Sequence, residues 1–220
     1  MTGGSPRGRL LALATTVLLL SGAAVAQEAE DAAPGDPSSE ALGRALLRRM
    51  TVWAPEGSGR AHFVRHCRNA RGGCRRRVEV FTRLIDDAAR RHELDPFLLA
   101  AVAVRESGLD PLAEGGAGER GIVQLHPRGV GSRVPFVRSE AYRRRCARQA
   151  HVCQREILEA GAGLLARSIV ACDGVREGLG MYNRGECGAT RYTEHVMRER
   201  QRLLILAKTD ARTAQDAFRR

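Results

Sequence analysis

Residues 94–127 read LDPFLLAAVAVRESGLDPLAEGGAGERGIVQLHP. The first half is a helix with both ends marked. Asp95 is placed to cap it, Pro96 fits its first position, and Gly108 stops it. From Phe97 to Val104 it is apolar nearly all round, which predicts a buried central helix. Glu106 then falls in its last turn. The C-terminal end of a helix carries partial negative charge, and burial also disfavours an ionised carboxyl. A carboxyl kept protonated there suits a general acid. On this signal alone, a solvated helix-end residue fits Glu106 equally well. The second half is rich in Gly and Pro and predicts loops around a short helix starting near Gly121. Asp110, before Pro111, reads as a turn former. Glu114 and Glu119 read as solvated loop acids, with Glu119 able to pair locally with Arg120. His126, just after Gly121-Ile122-Val123-Gln124, is a lesser candidate for substrate contact.

Outward from this stretch the chain continues in helical patterns. Val78, Phe81, Leu84, Ile85 and Ala88 share one face of a helix over 78–92. Residues 154–171 predict another, with Gly161 and Gly163 inside it. Interior glycines weaken an isolated helix, so close backbone packing is their expected reason. A short helix over the stretch EGLGMYNRGECG (177–188) and a final helix over 192–207 follow. Toward the N-terminus, Leu42, Leu46, Leu47 and Met50 predict a short helix over 40–53, broken by APEGSGR. Residues 27–40 read as a flexible linker and 207–220 as a disordered tail. No stretch alternates with period 2. The fold class is therefore mainly α, with at most a small hairpin near Ile122.

Composition sets the setting. Of 220 residues, 36 are Lys or Arg and 25 Asp or Glu, a formal charge of +11, with Lys208 the single lysine. Such a balance favours anionic partners without naming one. Arg7 and Arg9 precede an apolar run, Leu10 to Leu20, about half the length of a comfortable membrane span. Ala24-Val25-Ala26 then offers a cleavage site. Residues 1–26 are read as a cleaved secretory signal, the alternative being an uncleaved N-terminal anchor. The six cysteines all follow it, which predicts three disulfides in an oxidising compartment. Local pairing is the simplest reading: Cys67–Cys74, Cys146–Cys153 and Cys172–Cys187. On a straight helix, an i,i+7 pair would stand about 10 Å apart, beyond disulfide reach. The first two pairs therefore require bends, and Gly72-Gly73 supplies one. A zinc site from His62, His66, Cys67 and Cys74 is the weaker alternative, and no metal is assigned.

Three short motifs occur in order. They are Glu106-Ser107, then Gly121-Ile122-Val123-Gln124, then Met181-Tyr182-Asn183 with Gly185. Together they resemble the soluble lytic transglycosylases of the lysozyme-like superfamily, whose signature is Glu-Ser, Gly-Leu-Met-Gln and Ala-Tyr-Asn-Ala-Gly. The resemblance spans roughly residues 78–196. It implies a lysozyme-like catalytic domain over 78–206, preceded by a helical extension over 41–77, with disulfide-clipped loops. It implies cleavage of peptidoglycan glycan strands by one catalytic acid, Glu106, and no cofactor. Carried over by position, Ser107 would orient Glu106 or the substrate N-acetyl group. Gln124 and the backbone near Val123 would line the sugar groove. Tyr182 would hydrogen-bond near the Glu106 carboxyl, with Asn183 beside it. Val123 stands where the family has Met, and Met181 and Arg184 where it has Ala.

Other classes remain to be set against this. A nucleic-acid binder has the charge in its favour, but the export signal and cysteines oppose it, and arginine is not gathered into one stripe. An inactive glycan-binding module would not need Glu106. A hydrolysing lysozyme of the same fold would usually need a second carboxylate across the scissile bond. The expected molecule is a periplasmic monomer. Whether it serves general wall turnover or a cell-envelope or secretion assembly is not written in the sequence.

Overall fold

The computed structural model describes residues 37–53 and 61–208. The secretory signal (1–26), most of the linker (27–36) and the tail beyond residue 208 lie outside the described residues. The helix of the apolar stretch is α4, Pro96–Ser107, and all eight residues from Phe97 to Val104 are buried. Its ends are built as the sequence requires. Asp95 Oδ1 accepts from Phe97 N at 2.9 Å, and Gly108 closes the helix in the left-handed conformation. The second Asp95 oxygen accepts from Arg200 Nε. That ion pair ties the start of α4 to the C-terminal helix, which is Arg191–Lys208.

The remaining elements complete the fold. In chain order they are α1 (Pro37–Arg49), a two-stranded hairpin of β1 (Thr51–Trp53) and β2 (Ala61–Phe63), α2 (Arg65–Arg68) and α3 (Gly73–Arg91). After α4 come the short α5 (Pro135–Arg138) and α6 (Glu140–Cys146), then α7 (Arg155–Ala171), α8 (Val175–Arg184) and α9 (Arg191–Lys208). The face of α3 bearing Val78, Phe81, Leu84, Ile85 and Ala88 is buried, as its spacing dictates. Helix α9 packs along both α1 and α4, and α7 packs on α8. None of the helices among the described residues is long and apolar enough to cross a membrane.

Several boundaries differ from expectation. Helix α1 begins at Pro37, inside the expected linker, and ends at Arg49. The residues after it pair as a hairpin in the register Thr51↔Phe63, Val52↔His62, Trp53↔Ala61. Strands of three residues are too short to show period 2. Near Ile122 the chain forms only isolated bridges, Glu114↔Arg120 and Arg120↔Leu125. Helix α9 runs on through Lys208, past the expected start of the tail.

The cysteine pairs are Cys67–Cys74, Cys146–Cys153 and Cys172–Cys187, with Cα separations of 4.8, 6.1 and 5.5 Å. No free cysteine remains. The bend in the first pair is made by Gly72 and Gly73, both at positive φ (78° and 81°), between α2 and α3. In the second, α6 ends at Cys146 and 3₁₀ turns carry the chain to Cys153. With Cys67 and Cys74 bonded to each other, two of the four zinc ligands considered are occupied.

Candidate active site

Four elements converge on the C-terminal end of α4. Glu106 stands half-buried in the last turn. Helix α9 runs against α4 and brings Tyr192, in its first turn, to the carboxyl: Tyr192 Oη donates to Glu106 Oε1 at 2.6 Å. Burial pushes the Glu106 carboxyl above the ordinary carboxylate range. The Tyr192 hydrogen bond and the charge of Arg105 pull it back part of the way, and the charge of Glu119 pushes it up. Burial, and then the charge of Glu106, hold the Tyr192 hydroxyl firmly protonated, so it can only donate to the carboxylate.

A cavity of about 410 Å³ opens beside Glu106. Its wall includes Glu119, Gln124, His126, Leu164, Tyr182 and Asn183. Four expected site residues, Glu106, Gln124, Tyr182 and Asn183, therefore share one groove. Two others do not line it. The Ser107 hydroxyl lies 2.8 Å from Ile122 O and 3.1 Å from Ala103 O. It fastens the end of α4 to the Gly-Ile-Val-Gln loop and does not touch the Glu106 carboxyl. Val123 is fully buried. Its side chain packs on α7 at Gly161, where an added Cβ would come within 2.6 Å of Val123 Cγ2. Its carbonyl accepts from Tyr182 Oη at 2.9 Å. Val123 thus forms the floor behind the groove, and the shorter side chain in place of the family Met is a packing feature. The same bond redirects Tyr182: it holds the floor, and Tyr192 is the tyrosine on the acid.

The loop carrying Gln124 is held from both sides. Gln124 itself sits at φ 48°, and its Nε2 donates to Gly121 O at 2.9 Å and Ala113 O at 3.1 Å. Behind the loop lies Gln154, fully buried at the start of α7. Gln154 Oε1 accepts from Ile122 N at 2.9 Å, and Nε2 donates to Ala150 O at 3.1 Å and Pro111 O at 3.3 Å. The sequence reading missed both Gln154 and Tyr192. Each lies outside the three motifs, and only the packing of α7 and α9 reveals its role. A polar residue at a position the apolar pattern buries was the one available signal for Gln154.

The remaining acids separate cleanly. Asp110 Oδ1 accepts from Leu112 N at 3.0 Å, as a turn former does. Arg120 pairs with Glu114, not with Glu119. Glu119 Oε2 accepts from Ala117 N at 3.0 Å while its side chain lines the groove. Glu119 is thus a loop acid that also lies on the groove wall. His126 lies on the wall, with Nδ1 accepting from Arg128 N at 3.1 Å.

A mainly helical domain with a half-buried acid at a helix end, beside a groove lined by polar residues, fits the lysozyme-like class of fold. Residues 83–205 match the model of the transglycosylase SLT domain, and the chain belongs to that family. Family membership carries a transglycosylase-type, peptidoglycan-related function. No curated protein and no solved structure matches the chain.

Proposed function

We propose that this protein is an exported lytic transglycosylase. It cleaves the β-1,4 bond between N-acetylmuramic acid and N-acetylglucosamine in peptidoglycan strands and leaves 1,6-anhydromuramoyl ends. The observation that carries this reading is the half-buried Glu106 carboxyl, raised in pKa and held by Tyr192 at the mouth of the groove. Protonated, Glu106 donates its proton to the bridging oxygen as that oxygen leaves C1. The positive charge developing on the muramoyl ring is stabilised by the carbonyl of its own N-acetyl group. The Glu106 carboxylate then takes the proton from the C6 hydroxyl, whose oxygen bonds to C1. That attack is intramolecular and has a large proximity advantage over water. Taking that proton regenerates the Glu106 acid, and the cycle closes without a cofactor. Tyr192 positions the carboxyl and stabilises its ionised form between the two proton transfers. Gln124, Tyr182 and Asn183 contact the sugars, while Ser107 and Val123 act through the floor and the loop.

Export follows from the residue pattern over 1–26. Three disulfides support it, because they persist in oxidising compartments. Removing residues 1–26 takes away Arg7 and Arg9 and no acids, so the mature formal charge is 11 − 2 = +9, which suits an anionic wall polymer.

The test is Glu106→Gln, which keeps the shape and the Tyr192 contact but cannot donate a proton. The variant is expected to fold as the wild type does and to lose at least 99% of its activity on purified sacculi, on the order of what an acid–base group contributes. Retention of substantial turnover would remove Glu106 from the mechanism. One observation favours a second reading: Glu119 shares the groove with Glu106. A hydrolysing lysozyme would use such a second carboxylate to activate water or stabilise C1.

A further inference from the structure

Away from the groove lies a second cavity of about 420 Å³. It is lined by α2, the start of α3, the turn at 110–112 and residues 147–148. Three arginines line it, Arg71, Arg77 and Arg148, with His66 and one carboxylate, Asp110. Arg77 is only 7% exposed. Its Nη1 donates to His66 O at 2.6 Å and lies 3.4 Å from His66 Nδ1, and its Nε finds no partner among the described residues. Among the described residues no carboxylate is in ion-pair contact with it. Asp110 attracts it from a greater distance, while Asp110 Oδ1 is engaged by Leu112 N. A buried guanidinium whose contacts are neutral groups is costly unless an anion matches its charge.

The two exposed arginines are held in place by the disulfides. Arg71 lies in the loop closed by Cys67–Cys74 and Arg148 in the loop closed by Cys146–Cys153. Neither makes an ion pair among the described residues. The bridges fix the backbones that carry them, so less conformational freedom is lost when they close on a ligand. Guanidinium groups suit the planar or tetrahedral oxygens of a carboxylate or phosphate. His66 is held toward its neutral form, first by burial, so it adds hydrogen-bonding capacity more than charge.

We propose that this cavity is an oxyanion-binding site. It takes a carboxylate or phosphate group between Arg71 and Arg148, over the buried Arg77. Such a group occurs on peptide ends and on phosphorylated polymers, and binding one would hold the enzyme on its envelope without using the groove.

The test is a titration of the full mature chain at constant ionic strength, following the arginine Nε–Hε resonances by NMR. One arm uses inorganic phosphate and the other acetyl-D-alanine, a free carboxylate. Saturable one-to-one binding in at least one arm is expected, and the arm that binds tighter names the source. The Arg71→Ser/Arg148→Ser double variant changes only exposed side chains and is expected to melt as the wild type does. Its affinity should fall at least tenfold. Absence of saturation in both arms, or a smaller loss in the double variant, would overturn the site. Arg77→Met is left out because a buried substitution there could unfold the protein.

Discussion

Tyr192 and Glu106, 86 residues apart in sequence, share a 2.6 Å hydrogen bond that joins the first turn of α9 to the last turn of α4. The bond stabilises the ionised carboxylate, so it opposes the burial that raises the Glu106 pKa. On the proposed mechanism Glu106 must be protonated to act, so activity is expected to fall as pH rises through that pKa. In Tyr192→Phe the opposing bond is gone and the pKa rises further. The alkaline limb of kcat/KM is therefore expected to move to higher pH. Turnover at the optimum should drop roughly 10- to 100-fold, as fits a hydrogen bond to a charged group. A limb that stays in place or moves to lower pH would remove Tyr192 as the positioning group.

Gln154→Leu should loosen the groove from behind. The substitution leaves the amide of the fully buried Ile122 without its acceptor and strips a donor from Pro111 O and Ala150 O. Each buried group left unsatisfied costs about 1–3 kcal/mol. A stability loss of roughly 2–4 kcal/mol in urea titration is expected, with activity falling because Gln124 sits on the released loop. A loss under about 1 kcal/mol would show that the loop is held elsewhere.

The three disulfides should leave no titratable thiol in the denatured, unreduced protein. Their loops are short, with sequence separations of 7, 7 and 15. By the chain-entropy model each contributes about 2–3 kcal/mol. Thiol titration before and after reduction, with denaturation curves for both forms, checks the pairing and the magnitude. Two or more free thiols before reduction would contradict it.

The legible and illegible parts of this protein divide along physical lines. Helix α4 could be read to the residue, because Asp95, Pro96 and Gly108 act locally and the run from Phe97 to Val104 leaves no polar face. The cysteine count was legible, but six cysteines allow fifteen connectivities, so the local pairing that the structure forms was a guess from sequence. The hairpin at 51–63 was not legible, since its strands are three residues long. Within the site, the residues in motifs could be named, but not which atom each one meets. Whether Tyr182 or Tyr192 reaches Glu106 depends on how α8 and α9 cross the end of α4. Those crossings come from tertiary packing that no local spacing encodes. The place of Glu119 on the groove wall was illegible for the same reason: the fold of a Gly-rich loop decides which way its side chains face.

The chemical form of the product ends tests the central claim most directly. Purified sacculi would be digested with the wild-type protein and the muropeptides weighed by mass spectrometry. Intramolecular attack by the C6 hydroxyl gives 1,6-anhydromuramoyl ends, one water lighter than reducing ends. Those ends are expected to predominate, and to persist in Glu119→Gln, since the scheme needs no second carboxylate. Predominantly reducing ends, lost together with activity in Glu119→Gln, would contradict the transglycosylase mechanism and make the enzyme a two-carboxylate hydrolase.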